Sequence, residues 1–412
     1  MGHADLADPQ PTLPACSASL SFDAALAIMT AEALPLGQEK VTLSRAGRRT
    51  LAEPVMARID APRFDVAAMD GYAVCANELD AGRRAFDLAG ASYPGGSAAA
   101  SIRSGQAVKV MTGAQLPAGA TQVVPWENVT AHEARVDVRD VPRRRHVRER
   151  GSDFRAGDML LPAGRTIDSR ALAVAAAADL AALTVWRRPK VGVIATGNEL
   201  TAPGLACTTR LHVPDSLSAA IELFVRQWGG RPTGSRLLPD DLPMTERAAA
   251  DAITGCDLLV MIGGASMGER DFAKAALRRL GLEMRFSKVA IKPGKPVWYG
   301  RIGDRHVLGL PGNPTAALTT ARLFLAPLLT ALGGRPANAG LRWSRAPLAH
   351  AVPANGDREA FLCAALDDDG VHLIGRQSAS SQMTLGLADV LIRRPANAPA
   401  APTGSEVGIV RF

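Results

Sequence analysis

The sequence predicts a multidomain chain built around a central, mostly parallel α/β domain, with small β domains on either side. Three observations carry this reading. At 412 residues the chain is longer than one hydrophobic core supports. Residues 190–195, 257–262 and 306–310 are short apolar runs rich in Val, Ile and Leu, separated by stretches of helical spacing at 216–228, 243–254, 272–280 and 314–332. Apolar strands alternating with helices indicate a parallel sheet covered on both faces. On both sides of this region, residues 73–141 and those after Gly334 show short apolar runs broken by Gly/Pro turns, the rhythm of β structure.

Taken in order, the first ~18 residues read as a flexible leader without the apolar centre of a secretory signal. Residues 21–32 have helical spacing, with Ser21 and Asp23 suited to a helix start. A mixed segment (41–59) and a Pro-bearing connector (60–65) follow. Short strand-like runs come next at 86–88, 107–111, 122–125 and 135–138, with a Gly/Ser/Ala loop at 93–105. Residues 151–167 read as turns between short strands. The Ala-rich stretch 171–183 reads as a buried helix, and 407–412 as a closing strand.

Composition excludes several function classes. No run approaches the roughly 18 apolar residues of a membrane span. The five cysteines are widely spaced, without CxxC or Cys/His clusters, so neither a zinc site nor a disulfide framework is expected, and a reducing cytoplasm fits. The net charge of +7 is densest at Arg143-Arg144-Arg145-His146-Val147-Arg148-Glu149-Arg150. That run lacks interleaved aromatics for base stacking, so a solvated face is expected and no nucleic-acid partner. Steering of an anionic substrate or docking of a partner is the other reading of the run.

The chemistry is expected at the strand ends. Each of the three parallel strands runs into a glycine-bearing turn: Thr196-Gly197-Asn198-Glu199, Gly263-Gly264-Ala265-Ser266-Met267-Gly268, and Pro311-Gly312-Asn313-Pro314. Ligands of open parallel sheets bind beyond these carboxyl ends, where glycine lets backbone N–H groups approach an anion. Any one such turn could be a plain strand-to-helix connection; three on one edge point to a site. GxxxxGK[ST] is absent because Pro296 follows Gly294-Lys295, and GxGxxG is absent as well. The segment Lys288-Val-Ala-Ile-Lys292-Pro-Gly-Lys295-Pro296 presents lysines from a proline-stiffened loop, as phosphate binding needs. Glu199, Asp240, Asp241 and Asp271 supply carboxylates for a hard cation such as Mg2+, although Asp241 and Asp271 are equally placed to cap helices. No nucleophile stands beside a histidine and GxSxG does not occur, so acyl-transfer hydrolysis is disfavoured.

Seven segments in order, FDVAAMDGYAV (64–74), VMTGAQLPAGATQVV (110–124), GSDFRAGD (151–158), VGVIATGNEL (191–200), IGGASMGERD (262–271), KVAIKPGKP (288–296) and LPGNP (310–314), resemble the molybdopterin molybdenumtransferase family, the MoeA proteins and the gephyrin E domain. The resemblance covers residues 20–412. It implies an elongated subunit of four domains: a discontinuous N-terminal domain (19–62 and 146–182), an inserted β domain (63–145), a central molybdopterin adenylyltransferase-like domain (183–333) and a C-terminal β-barrel-like domain (334–412).

It further implies a cytoplasmic homodimeric enzyme of molybdenum cofactor biosynthesis. Such an enzyme takes adenylated molybdopterin and molybdate and, with Mg2+, releases molybdenum cofactor and AMP. An adenylyltransferase or an acceptor molybdoenzyme would be its partner. By motif, Asp70, Thr112, Asp153, Glu199, Asp241 and Asp271 match acidic or hydroxyl positions that matter in the family, with Asp241 and Asp271 on the metal. Lys288, Lys292, Pro311, Pro314 and Arg358 match substrate or molybdate positions, and Ser380 the C-terminal serine. With the glycine turns and the lysine loop, this adds Gly263, Gly264, Ser266, Lys295, Gly312 and Asn313 to the binding set. The partner subunit is expected to contribute Asp70 and Thr112.

Three departures stand out against this likeness. Asn198 occupies a position where the family usually has Asp, Leu217 one where it has Asn, and RQSASSQM lacks the usual Gly-Ser. They leave open an alternative, a catalytically weakened molybdopterin-binding or scaffold paralogue.

Overall fold

The computed structural model describes residues 19–96, 101–263 and 272–412. Their contacts divide the chain into two units, one of residues 38–185 and one joining the segment up to Gly37 with residues 186–412. The cysteines described, Cys75, Cys207, Cys256 and Cys363, are free thiols.

Helix α1 (Phe22–Ala31) begins where the sequence places it, with Ser21 Oγ accepting the N–H of Ala24. Its buried face, Phe22, Ala25 and Met29, belongs to the second unit's core. Phe22 meets Phe361 and Phe324 edge-on at centroid distances of 5.1 and 5.5 Å.

The unit of residues 38–185 carries a six-stranded sheet of β1 (Gly71–Val74), β2 (Ala85–Ser92), β3 (Gln106–Val110), β4 (Gln122–Pro125), β5 (Val129–His132) and β6 (Arg135–Val138). The spatial order is β4-β1-β3-β2-β6-β5, antiparallel except for the pair β2 and β3. Tyr72, Val74 and Val124 point to one apolar cluster and Ala73, Val108 and Val123 to another, the alternation a sheet covered on both faces requires. Arg143, Arg144, Arg145 and Arg148 are exposed, and Val147–Arg148 pair with Val66–Ala67.

The Ala-rich stretch is a shorter helix than its composition suggests. Helix α2 (Ser169–Ala177) stops before Asp179, which takes φ +63°, and residues 182–186 form a strand paired with Gln38–Thr42. Thr184, Val185 and Trp186 favour extended backbone, and that preference overrides the alanines before them.

In the other unit the expected parallel core is present. Its strands are β7 (Lys190–Thr196), β8 (Arg231–Leu238), β9 (Leu258–Ile262), β10 (Glu283–Phe286), β11 (Trp298–Ile302) and β12 (Arg305–Leu310), in the order β8-β7-β9-β12-β11-β10. The first four in that order are parallel, and β11 and β10 extend the edge antiparallel. Helices α3 (Ser218–Gln227), α4 (Leu242–Gly255) and α5 (Phe272–Arg279) connect the strands. Val193, Val260 and Leu308 face one core cluster while Ile194, Leu259 and Val307 face the other.

Residues 314–332 form one buried helix, α6, built from Pro314–Thr320, a π-helical turn at Ala321–Leu325 and Ala326–Leu332. The wide turn precedes Pro327, which has no N–H to give to Leu323. By length and apolarity α6 could cross a membrane, although the sequence has no unbroken apolar run of that length. With 94% of its most apolar stretch buried, it is the core helix of this unit. Arg322, buried on α6, donates to the carbonyls of Arg411 and Gly340 and stacks 4.5 Å from the Trp228 ring centroid.

Beyond α6, β13 (Ser344–Pro347), β14 (Glu359–Asp367), β15 (Gly370–Leu373), β16 (Val390–Arg394) and β17 (Glu406–Arg411) form an antiparallel sheet. Its edge is joined by Ile291–Lys292, which pair parallel with Glu359–Ala360.

Candidate active site

The connectivity itself creates a crevice. From β7 the chain winds to β8 on one side, and then crosses through α4 to β9 on the other. That reversal opens a cleft at the carboxyl ends of β7 and β9. The ends are level: Ala195 lies opposite Ile262, and Ile262 opposite Leu310.

One glycine of these turns is required by its surroundings, and a second lies under a folded side chain. Gly263 takes φ +85°, and a Cβ there would sit 2.5 Å from the Thr196 carbonyl oxygen. A Cβ on Gly197 would meet the Glu199 carboxylate at 2.9 Å, so that side chain folds back over Gly197 and would have to swing away from a larger residue. A Cβ on Gly312 would come 3.5 Å from the Gly263 Cα, so the second and third turns sit against each other.

Around these turns is a cavity of about 830 Å³. Its floor is Thr196, Gly197, Ile262, Gly263, Pro311 and Gly312, and Glu199, Asp215 and Asp240 bring carboxylates to it. Asn313 and Pro314, at the start of α6, and Ser380 and Gln382, from the C-terminal loop, close another side. That loop is fastened to α6: Ala316 N–H donates to the Ala379 carbonyl at 3.1 Å and Thr315 Oγ1 to the Ser381 carbonyl at 3.1 Å. Asn313 occupies the N-cap of α6 without a side-chain bond to the helix, so its amide remains available to the cavity.

The carboxylates hold defined positions. Asp215 Oδ1 accepts the N–H groups of Leu217 and Ser218 at 3.0 and 3.1 Å, starting α3. Asp241 Oδ1 accepts the Met244 N–H at 2.7 Å, so this residue caps α4, and Asp240 before it lines the cavity. Asn198 Oδ1 accepts the Asp240 N–H at 3.0 Å, fixing the carboxylate-bearing turn. The cavity offers oxygen donors and no His or Cys side chain, a set that suits Mg2+. Among the described residues, no group of three such side chains converges as a ready-made metal cage.

Of the residues singled out from sequence, Glu199, Gly263, Pro311, Gly312, Asn313, Pro314 and Ser380 meet in this one cavity. The lysine loop is next to it, with Pro296 in the wall. Gly294 takes φ +108°, and a Cβ would lie 2.3 Å from Thr320 Cγ2, so the turn can seat on α6 only as glycine. Lys292 pairs with Ala360, and the Glu359 N–H donates to the Ala290 carbonyl, which brings Arg358 beside the lysine segment. Lys292 and Lys295 are exposed and Lys288 half-buried. Gly264, Ser266 and Asp271 lie outside the described residues.

Asp70, Thr112 and Asp153 belong to the other unit. There Asp70 Oδ1 accepts both the N–H and the hydroxyl of Thr112, which hold its carboxyl below the ordinary range, the N–H bond contributing most. Asp153 donates its N–H to the Ala61 carbonyl, with its side chain exposed. Asp215 and Gln382 are cavity residues that sequence reasoning did not select, and Leu217, singled out only as a departure from the family, lines the cavity as well. Asp215-Ser216 looks like a helix start, and nothing local distinguishes Gln382 from a surface residue.

Comparison with known proteins agrees with this geometry. Residues 20–178 match the family described as "MoeA N-terminal region (domain I and II)", and residues 192–331 that described as "Probable molybdopterin binding domain". A molybdopterin molybdenumtransferase of Haemophilus influenzae is 33% identical over 315 residues, 76% of each chain. That of Synechococcus elongatus is 34% identical over 378 residues, 88% of this chain and 92% of the relative. The crystal structure of a molybdopterin biosynthesis MoeA protein from Pyrococcus horikoshii superposes with a TM-score of 0.82 at 27% identity, covering 96% of this chain and 99% of that one. On these matches, the chain belongs to the molybdopterin molybdenumtransferase family.

Proposed function

We propose that the cavity at the ends of β7, β9 and β12 binds adenylated molybdopterin and molybdate, and that the enzyme cleaves the adenylate to release molybdenum cofactor and AMP. The observation that supports this most is the meeting of three glycine turns, three carboxylates and the Ser380 loop in one cavity beside the Lys288–Lys295 segment. In this reading the glycine turns of Gly197, Gly263 and Gly312 admit the phosphates to the backbone. Lys292, Lys295 and Arg358 hold the anionic groups, molybdate among them, and Pro311–Pro314 with Ser380 fix the molybdate end. Lys288 is half-buried and orients the same segment.

Asp240 and Asp241, with Glu199 and Asp271, would hold Mg2+. The ion would supply positive charge to the phosphoanhydride oxygens as the bond breaks. Asn198 keeps the hydrogen bond to Asp240, which favours a working site over a scaffold that has lost turnover. We further propose the four-part division stated above, with a barrel-like C-terminal domain, in a cytoplasmic homodimer whose partner subunit contributes Asp70 and Thr112.

Incubation of the purified chain with adenylated molybdopterin, molybdate and Mg2+ tests the reading. AMP release that depends on molybdate is the expected result. Tight binding of the adenylate without AMP release would assign the scaffold role instead.

A further inference from the structure

The lysine segment is held from both sides, and one side chain outside the cavity ties those two sides together. On one side Leu20 bridges Val289 in parallel. Its carbonyl accepts the Ala290 N–H at 2.7 Å, and its N–H donates to the Lys288 carbonyl at 3.3 Å. On the other side Ile291 and Lys292 pair with Glu359 and Ala360, and the Glu359 N–H donates to the Ala290 carbonyl at 3.1 Å. Residues 288–292 therefore run between the chain that leads into α1 and the start of β14.

Arg393, in β16 opposite Phe361 of β14, reaches both flanks. Its Nε donates to Glu359 Oε1 at 2.5 Å, and its Nη2 to Oδ2 of Asp23, in the first turn of α1, at 2.7 Å. The guanidinium carbon lies 5.2 Å from the ring centroid of Phe22 and 5.2 Å from that of Trp343. A planar cation packed against two rings, with its fork committed to two carboxylates, has little freedom to turn elsewhere.

Side chains alternate along paired strands, so Ile291 and Glu359 share one face and Lys292 and Ala360 the other. Arg393 thus grips the pairing from the face opposite Lys292. Its charge is already matched by Asp23 and Glu359, so what it supplies to the lysine segment is position.

We propose that Arg393 is a positioning residue: by joining Asp23 of α1 to Glu359 of β14, it fixes the strand that presents Lys288 and Lys292, with the adjoining Arg358, to the anionic substrate. The inference rests on the substrate reading given above, but the order of the segment can be measured without substrate. Arg393→Met keeps an unbranched apolar stem and removes both bonds. Amide hydrogen exchange of the substrate-free chain, followed by mass spectrometry on the peptide spanning 289–292, should quicken by about tenfold, with β9 and β12 as protected as in the wild type. In molybdate-dependent AMP release the variant should raise KM for molybdate roughly tenfold, the weight of one hydrogen bond to a charged group, and leave kcat in place. A merely structural loss would lower the active fraction and leave KM unmoved. Asp23→Ala cuts only the arm to α1, at an exposed carboxylate, and should quicken the same peptide even where the methionine variant does not fold. Arg236→Met, an equal loss of charge at the exposed pair with Asp251, should alter neither reading. Unchanged exchange at 289–292 in the folded variants, or an unchanged KM in folded Arg393→Met beside an active wild type, overturns the assignment. A wild type that releases no AMP would sink the substrate reading alone, and exchange would still decide the role of Arg393.

Discussion

Thr112 donates twice to one oxygen of Asp70: its N–H lies 2.7 Å and its hydroxyl 2.8 Å from Oδ1. Both bonds favour the ionised carboxylate, which is why its pKa is lowered. Asp70 therefore keeps its charge to lower pH than an unpaired carboxylate does. Thr112→Val keeps the N–H bond and removes the other. We expect the Asp70 titration, followed by carboxyl NMR, to move upward. Molybdate-dependent AMP release should fall by roughly tenfold, in line with the loss of one hydrogen bond to a charged group. Thr112→Ser should restore both. An unmoved titration in the valine variant would refute the double-donor account.

Gly263→Ala addresses the floor of the cavity. The added methyl meets the Thr196 carbonyl at 2.5 Å, and the left-handed backbone is strained for alanine. A cost of about 1–3 kcal/mol in stability is expected. Turnover should suffer more than stability, because the turn bearing Gly312 rests on this residue. Thermal melting and AMP release measured on one preparation separate the two effects.

His306 gives the chain an acid limit. Its Nδ1 is 2.7 Å from the Tyr299 hydroxyl, the ring is buried, and burial pushes its pKa down to about 4. In the unfolded chain the value returns to near 6.5, so protonation favours unfolding. Stability is complete above about pH 6.5 and is lost as pH falls toward 4, on the order of 3 kcal/mol in all. A His306→Asn variant should show a flatter fall in melting temperature over that window, whatever its stability at neutral pH. A slope equal to the wild type would remove His306 as the cause.

The proposed sharing of sites between subunits is open to complementation. Asp70→Ala and Lys292→Ala chains, each inactive alone, should regain about a quarter of wild-type turnover when refolded together. Half the dimers are then mixed, and each mixed dimer has one intact site. If Asp70 serves the cavity of its own chain, mixing restores nothing.

Much of this was legible in the residues because the relevant forces are local or periodic. The parallel strands β7, β9 and β12 are buried on both faces and had to be continuous apolar runs, so they stood out. The turns after them carried glycines that close backbone approach demands. Strand β8 carries no apolar signal, since as an exposed edge strand it needs no apolar run. The pair β10 and β11 was hidden because the lysine loop separates them in sequence. Gln382 and Asp215 reach the cavity through tertiary packing, which no local pattern encodes. The Asp70–Thr112 bond spans 42 residues and no local pattern announces it; the family likeness selected the two residues only as separate positions.

The long helix α6 has one more consequence. Its apolar surface is shared by the parallel sheet and by Phe361, Leu391 and Val410 of the C-terminal sheet, while its first residues form a wall of the cavity. Parting the C-terminal sheet that carries the Ser380 loop from the glycine turns would therefore mean splitting a continuous hydrophobic interior. This part of the site behaves as a fixed vice, set to its gap before any substrate arrives. Affinity there is governed by how well a ligand fits the standing gap, with little energy diverted to closing it.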